Sequence, residues 1–281
     1  MHGSTTQLGS GDFRIDRLLW WATVVECVIL GVGGVGLLVL PDLITPLWPW
    51  PLAQFTVRAL GAVYSAAFVV VLALAVRPWW SPARVVVPMV AVFTAIVTVL
   101  SVAHLDRLAN WPWTGVWLMV YLGAATIALG YAWRYRGIPP APTARPPDRL
   151  LRAALVAEIA LLGGYGVALL VVGAPAVGFW PWPIDSVYAS GSADLHARIY
   201  SAAFITPAVG AALLVRLGTV HEDRTLGASQ LVSGIAAVAG VVVVDASVHR
   251  VDWGLPGTWA WVAMCAAIAG VGGLLLRGRT A

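Results

Sequence analysis

Two glutamates stand inside long apolar runs of the sequence. Glu26 and Glu158 are each the ninth residue of such a run, about 12 Å from its start if the run is helical. An ionised carboxylate at that depth of a bilayer is costly, so each should be protonated or paired. Two interpretations stay open: an interhelical hydrogen bond to a hydroxyl or a backbone carbonyl, or a carboxylate that couples protons or binds a ligand.

Basic residues stand at the ends of other apolar runs. Arg58 and Arg198 begin the second and sixth runs, where each either snorkels and binds loop carbonyls or provides a fixed cation for an anionic substrate or headgroup. His104 and His249 end the third and seventh runs. Asp245 precedes His249 by four residues, so we expect its carboxylate to hydrogen-bond the imidazole. A metal or haem between the two histidines is an alternative, although no HxxxH or CxxCH spacing supports it.

Tryptophan alternates with proline in two places. Trp48 and Trp50 each precede a proline, and Trp180 and Trp182 repeat this pattern 132 positions later. The rings are expected either to form an aromatic belt at headgroup depth or to wall a shared outer vestibule. In the second case Trp48, Trp50, Arg58 and His104 should lie together, as should the corresponding residues of the second set, which are Trp180, Trp182, Arg198 and His249.

The same order of unusual residues in both halves predicts an internal duplication. The two glutamates share the spacing of the tryptophan pairs, whereas the arginines are 140 positions apart and the identical segments 64–68 and 200–204 are 136 apart. The alignment of this helix is therefore uncertain by one turn. We expect a first repeat at 1–137, a Pro-rich cytoplasmic linker at 138–149 and a second repeat at 150–281.

Eight apolar runs of about 20 residues predict an all-α integral membrane protein with eight transmembrane helices. The runs are 18–40, 56–77, 84–104, 114–134, 150–172, 197–217, 227–247 and 257–277. Four spans per half is an even number, so the halves should form two parallel-oriented four-helix repeats.

Composition and charge agree with this fold class. Hydrophobic residues make up 60% of the chain and charged residues 11%, which argues against a soluble enzyme, a disordered chain and a nucleic-acid partner. Of the 17 basic residues, all arginine, four fall on one side of the expected membrane (Arg58, Arg107, Arg198 and Arg250) and the other thirteen on the opposite side. The positive-inside rule then predicts a plasma (inner) membrane protein with both termini in the cytoplasm.

These features favour a permease-like protein with an outward-facing site between the repeats. Its ligand would be a small amphipathic or anionic molecule or a lipid. The candidate ligand-binding residues are Glu26, Trp48, Trp50, Arg58, His104, Glu158, Trp180, Trp182, Arg198 and His249. The alternatives are an accessory subunit bound to other membrane subunits and a haem- or metal-containing redox subunit; the sequence assigns neither a cofactor nor a catalytic residue.

Overall fold

The computed structural model describes residues 12–108, 110–181 and 193–278. Eight of its helices are long and apolar enough to cross a membrane, as the sequence predicts. They are α1 (Arg17–Val39), α2 (Gln54–Val76), α3 (Trp80–Ala103), α4 (Trp111–Tyr135), α5 (Arg149–Val172), α6 (Ala193–Leu214), α7 (Val220–Val248) and α8 (Pro256–Arg277). This architecture is consistent with a polytopic membrane protein whose outer faces contact a lipid bilayer.

Polar side chains fix the starts of three helices. Asp16 accepts a hydrogen bond from the amide of the third residue of α1, and Asp148 does the same for α5, at 3.0 and 2.7 Å. Thr219 and Glu222 form a reciprocal capping box at the start of α7. Each cap satisfies backbone donors that the first turn of a helix leaves free.

The helices pack in a pattern that is the same in both halves. Within the halves α1 packs on α2, α3 on α4, α5 on α6, and α7 on α8. Between the halves α2 packs on α7 and α3 packs on α6. Exchanging each helix with the one four places along leaves this set of pairs unchanged, as a duplication would require.

Close helix contacts also recur at corresponding places. A Cβ at Gly34 would lie 2.8 Å from the backbone nitrogen of Ser65, and one at Gly166 would lie 3.0 Å from that of Ile205. The glycines are 132 positions apart and their partners 140, which is the separation of the two arginines. The helix packing therefore follows the arginine alignment rather than that of the identical segments.

The chain before α1 and the segment before α5 make the same contact at one end of the bundle. Arg14 forms an isolated antiparallel bridge with Trp79, just before α3, and Arg145 forms one with Gly218, just before α7. The indole of Trp80 also donates to a carbonyl of the Pro-rich segment, at 3.1 Å. The segment expected as a linker, 138–149, thus lies against the start of α3 and the connection before α7.

Helix α5 departs from regular geometry directly after Glu158. Residues Ile159–Gly163 form a turn of π-helix, whereas α1 is an uninterrupted α-helix. Such a turn inserts one residue and shifts the face that the following side chains present; it is often found at functional sites.

Candidate ligand-binding cavity

A cavity of about 900 Å³ lies inside the bundle. Residues of both halves line it, from α1, α2, α3 and α4 and from α6, α7 and α8. Most of the lining is aliphatic or aromatic. Its volume and its apolar walls are typical of pockets for small organic molecules, which measure about 300–1,000 Å³.

The cavity opens sideways between α1 and α4. Val28 and Val32 on α1 line it although 63% of the surface of each is exposed, and Val116 on α4 does so with 43% exposed. Gly123 on α4 also lines this opening, and no atom lies within 4 Å of the position that its Cβ would take. Both helices are apolar on this face, so a ligand would meet the opening from the hydrocarbon region.

Glu26 provides the carboxyl group of the cavity lining. It lies on α1 and is half-buried. It makes no hydrogen bond or ion pair with the part of the chain that the structure describes. Among the described lining residues it is the only Asp, Glu, Arg or His side chain.

Two tyrosines add hydroxyl groups to the lining of the same cavity. Tyr64 on α2 and Tyr121 on α4 are both buried, and their hydroxyls hydrogen-bond to each other. Both residues line the cavity. The pair therefore connects two helices that are not neighbours along the chain and gives the wall a polar patch.

Aromatic rings close the cavity at the end where the α1–α2 connection lies. Trp48 packs edge-on against Trp117, with ring centroids 5.0 Å apart, and against Tyr64 at 5.7 Å. Trp117 also packs on Tyr121 at 4.3 Å. These four residues all line the cavity. Trp50 packs behind them against Trp117 at 5.1 Å and does not itself line the cavity.

The second tryptophan pattern contributes one residue to the lining. Trp180 lines the cavity and packs edge-on against Tyr200, with ring centroids 5.2 Å apart, as Trp48 does against Tyr64. Its indole donates to the hydroxyl of Tyr165 at 2.7 Å. Trp182 lies outside the described residues.

The two arginines bind backbone carbonyls rather than the cavity. Arg58 donates to the carbonyl of Leu37 at 3.4 Å, near the end of α1. Arg198 donates to the carbonyl of Leu170 at 2.5 Å, near the end of α5, and forms an ion pair with Asp194 at 2.7 Å. Each arginine thus fastens the start of one helix to the end of the preceding one, and neither lines the cavity.

The histidines are likewise turned to their own helix ends. His104 shares a hydrogen bond with the carbonyl of Leu100 at 3.0 Å, and His249 ends α7 in a left-handed conformation with φ of 49°. Neither histidine lines the cavity. Among the residues described, no group of three or more His, Cys, Asp and Glu side chains is placed to hold a metal ion.

The prediction of a hydrogen bond between Asp245 and the His249 ring is wrong. The Asp245 carboxylate accepts instead from the amides of Arg250 and Val251, at 2.9 and 2.8 Å, and from the indole of Trp253 at 2.7 Å. The left-handed turn at His249 brings these donors back over the end of α7. The aspartate therefore fixes the loop after α7 and not the histidine tautomer.

Glu158 lies in a different environment from Glu26. Only 4% of its surface is exposed, and one carboxylate oxygen accepts a hydrogen bond from the amide of Gln230 on α7. Its second oxygen and the Gln230 oxygen are buried without a partner in the described chain. Glu158 is not part of the cavity lining, whereas Gln230 is.

The chain matches no known family model, no curated protein and no solved structure.

The structure thus brings three of the candidate residues to one cavity, namely Glu26, Trp48 and Trp180. It adds Tyr64, Tyr121 and Trp117, which the sequence analysis did not select. Tyr64 stands in the segment that recurs identically in the second half, and this repetition was the available signal.

Proposed function

We propose that the protein is a permease-like protein of the plasma (inner) membrane that binds an amphipathic small molecule or lipid in this cavity. The observation that carries the proposal is a large apolar cavity, open sideways, with one carboxylate among its lining residues. A purely structural bundle gains nothing from such a space, because unfilled volume forfeits packing contacts.

Internal duplication supports this proposal. The matching helix pairs, helix caps and glycine contacts are those that two parallel repeats would share. In transporters built from repeats, substrates bind near the middle of the membrane where the repeats meet. A cavity lined from both halves would occupy the corresponding place in this protein.

Both termini are proposed to lie in the cytoplasm. The end of the bundle at which α1, α3, α5 and α7 begin carries twelve of the 16 arginines among the described residues. An excess of arginine marks the cytoplasmic side of membrane proteins. Trp48, Trp50 and Trp180 then belong to the outer end.

A second candidate function is an accessory role in a larger membrane complex. Large tryptophans are exposed on the outside of the bundle, with 64% of Trp111 and 56% of Trp259 accessible. Such rings either anchor the helices at the membrane interface or pack against another subunit. Purification in a mild detergent separates these roles, because an accessory subunit should co-purify with its partner in a fixed ratio.

The binding function can be tested by obstructing the opening of the cavity. We expect radiolabelled decanol to bind the purified protein saturably and Gly123→Phe to weaken this binding at least about tenfold, because the new ring occupies the space between α1 and α4.

Gly130→Phe is the matched control. It introduces the same ring on the same helix, at a glycine that also has no atom within 4 Å of its Cβ position but does not line the cavity. Equal affinities of the two variants, or no saturable binding to the wild-type protein, would refute the proposed function.

A further inference from the structure

The charge of the cavity indicates which class of amphiphile fits it. Glu26 is the only ionic side chain among the described residues that line it, and it has no described partner there. The arginines that the sequence suggested for an anionic ligand are bonded to backbone carbonyls outside the lining. An anionic headgroup would therefore meet a carboxylate without any neighbouring cation.

Aromatic rings line the same cavity. Trp48, Trp117, Tyr121 and Phe93 all line it, and the ring centroids of Trp117 and Phe93 lie 4.3 and 6.4 Å from that of Tyr121. The negative faces of such rings attract alkylammonium groups, and the attraction grows when water is excluded. Glu26 and Tyr121 both line the cavity, so the carboxylate and this ring can act on one bound molecule.

The remainder of the cavity suits an apolar body. Aliphatic side chains of α1 and α4 form the walls up to the sideways opening, where Val28, Val32 and Val116 are exposed. A molecule with an alkyl chain can partition into the bilayer and enter between these helices. Its cationic head would then compensate the charge of the Glu26 carboxylate, because an unpaired carboxylate is unfavourable in an apolar medium.

We propose that the cavity binds a cationic amphiphile, with an ammonium-type head at Glu26 and an apolar body along α1 and α4. This inference rests on the proposed binding function. It specifies the ligand class of that same cavity and excludes the anionic ligand that the sequence had suggested.

The test compares two probes of equal chain length, decyltrimethylammonium and decanol, on the purified full-length protein in an uncharged detergent. We expect the wild-type protein to prefer the cation. Glu26→Gln should reduce the affinity for decyltrimethylammonium at least about tenfold and leave that for decanol within about twofold, because only the charge of the side chain is removed. Retained decanol binding also demonstrates that the variant is folded.

Glu158→Gln is the matched control. It makes the same chemical change at the corresponding position of α5, outside the cavity lining, and should leave the ratio of the two affinities unchanged. The inference is overturned if Glu26→Gln keeps the preference for the cation, if Glu158→Gln abolishes it equally, or if the wild-type protein binds decanol as well as the cation. Failure of decanol to bind the wild-type protein saturably would instead refute the proposed function itself.

Discussion

Arg84 and Glu222 form an ion pair between α3 of the first half and α7 of the second. Their Nε and Oε1 atoms are 2.5 Å apart, the Glu222 side chain is fully buried and the Arg84 side chain is 13% exposed. Glu222 also accepts the amide of Thr219 at 2.6 Å, and Arg84 donates to the carbonyl of Leu217 at 2.8 Å. One guanidinium thus neutralises a buried carboxylate and satisfies a carbonyl in the connection before α7.

Replacing Arg84 with alanine should strongly destabilise the protein. The change leaves the Glu222 carboxylate buried with a single hydrogen bond to its own helix cap. Removing one partner of a buried ion pair costs about 3–5 kcal/mol. The ratio of folded to unfolded molecules should accordingly fall by about two to four orders of magnitude. Replacing Arg84 with methionine and Glu222 with glutamine together should cost less, because no unpaired charge remains.

The measurement is equilibrium unfolding of the purified protein in mixed micelles of a mild detergent and dodecyl sulfate, followed by tryptophan fluorescence. Arg224→Ala is the control, because it removes an exposed arginine from the same end of the bundle. Its effect should stay below about 0.5 kcal/mol. If Arg84→Ala unfolds within about 1 kcal/mol of this control, or if the double variant is less stable than Arg84→Ala, the ion pair is not a main contact between the halves.

Three further predictions concern topology and helix packing. Reporter fusions after Gly137 and after Ala281 should both report the cytoplasm, and a periplasmic signal at either would overturn the proposed orientation. In the same unfolding assay Gly234→Ala should cost about 1–3 kcal/mol, because its Cβ would overlap the backbone of α8, whereas Gly270→Ala, with no atom within 4 Å of its Cβ, should not destabilise. Asp148→Ala should cost about 1 kcal/mol through loss of the α5 cap, and an unchanged midpoint would contradict that role.

The eight long helices could be predicted from the sequence because a bilayer requires long apolar runs. The starts of the helices were less predictable. Helix α7 begins at Val220, seven residues before the apolar run expected at 227, and its first turns carry the buried Glu222 and Asp223. Hydropathy excludes such residues from a span, whereas Glu222 is buried against Arg84, which lies on another helix.

The cavity was only partly predictable from the sequence. Glu26 and the tryptophans stand out because charge and Trp-Pro patterns are rare inside apolar runs. The hydrogen bond between Tyr64 and Tyr121 joins α2 to α4, and no spacing within one helix indicates it. The error at Asp245 has the same origin, since its partners come from a loop whose path the sequence does not reveal.

The two glutamates illustrate how a duplicated scaffold can carry one binding site rather than two. Glu158 on α5 finds an amide partner on α7, whereas α3, which takes the place of α7 in the first half, contains no Asn or Gln. The threonines of α3 do not replace that partner, because Thr94 and Thr98 donate to carbonyls of their own helix. Glu26 is therefore left facing the cavity while Glu158 is held inside the bundle. If the halves arose by duplication, the second has kept the carboxylate as a packing element and the first has kept it available to a ligand.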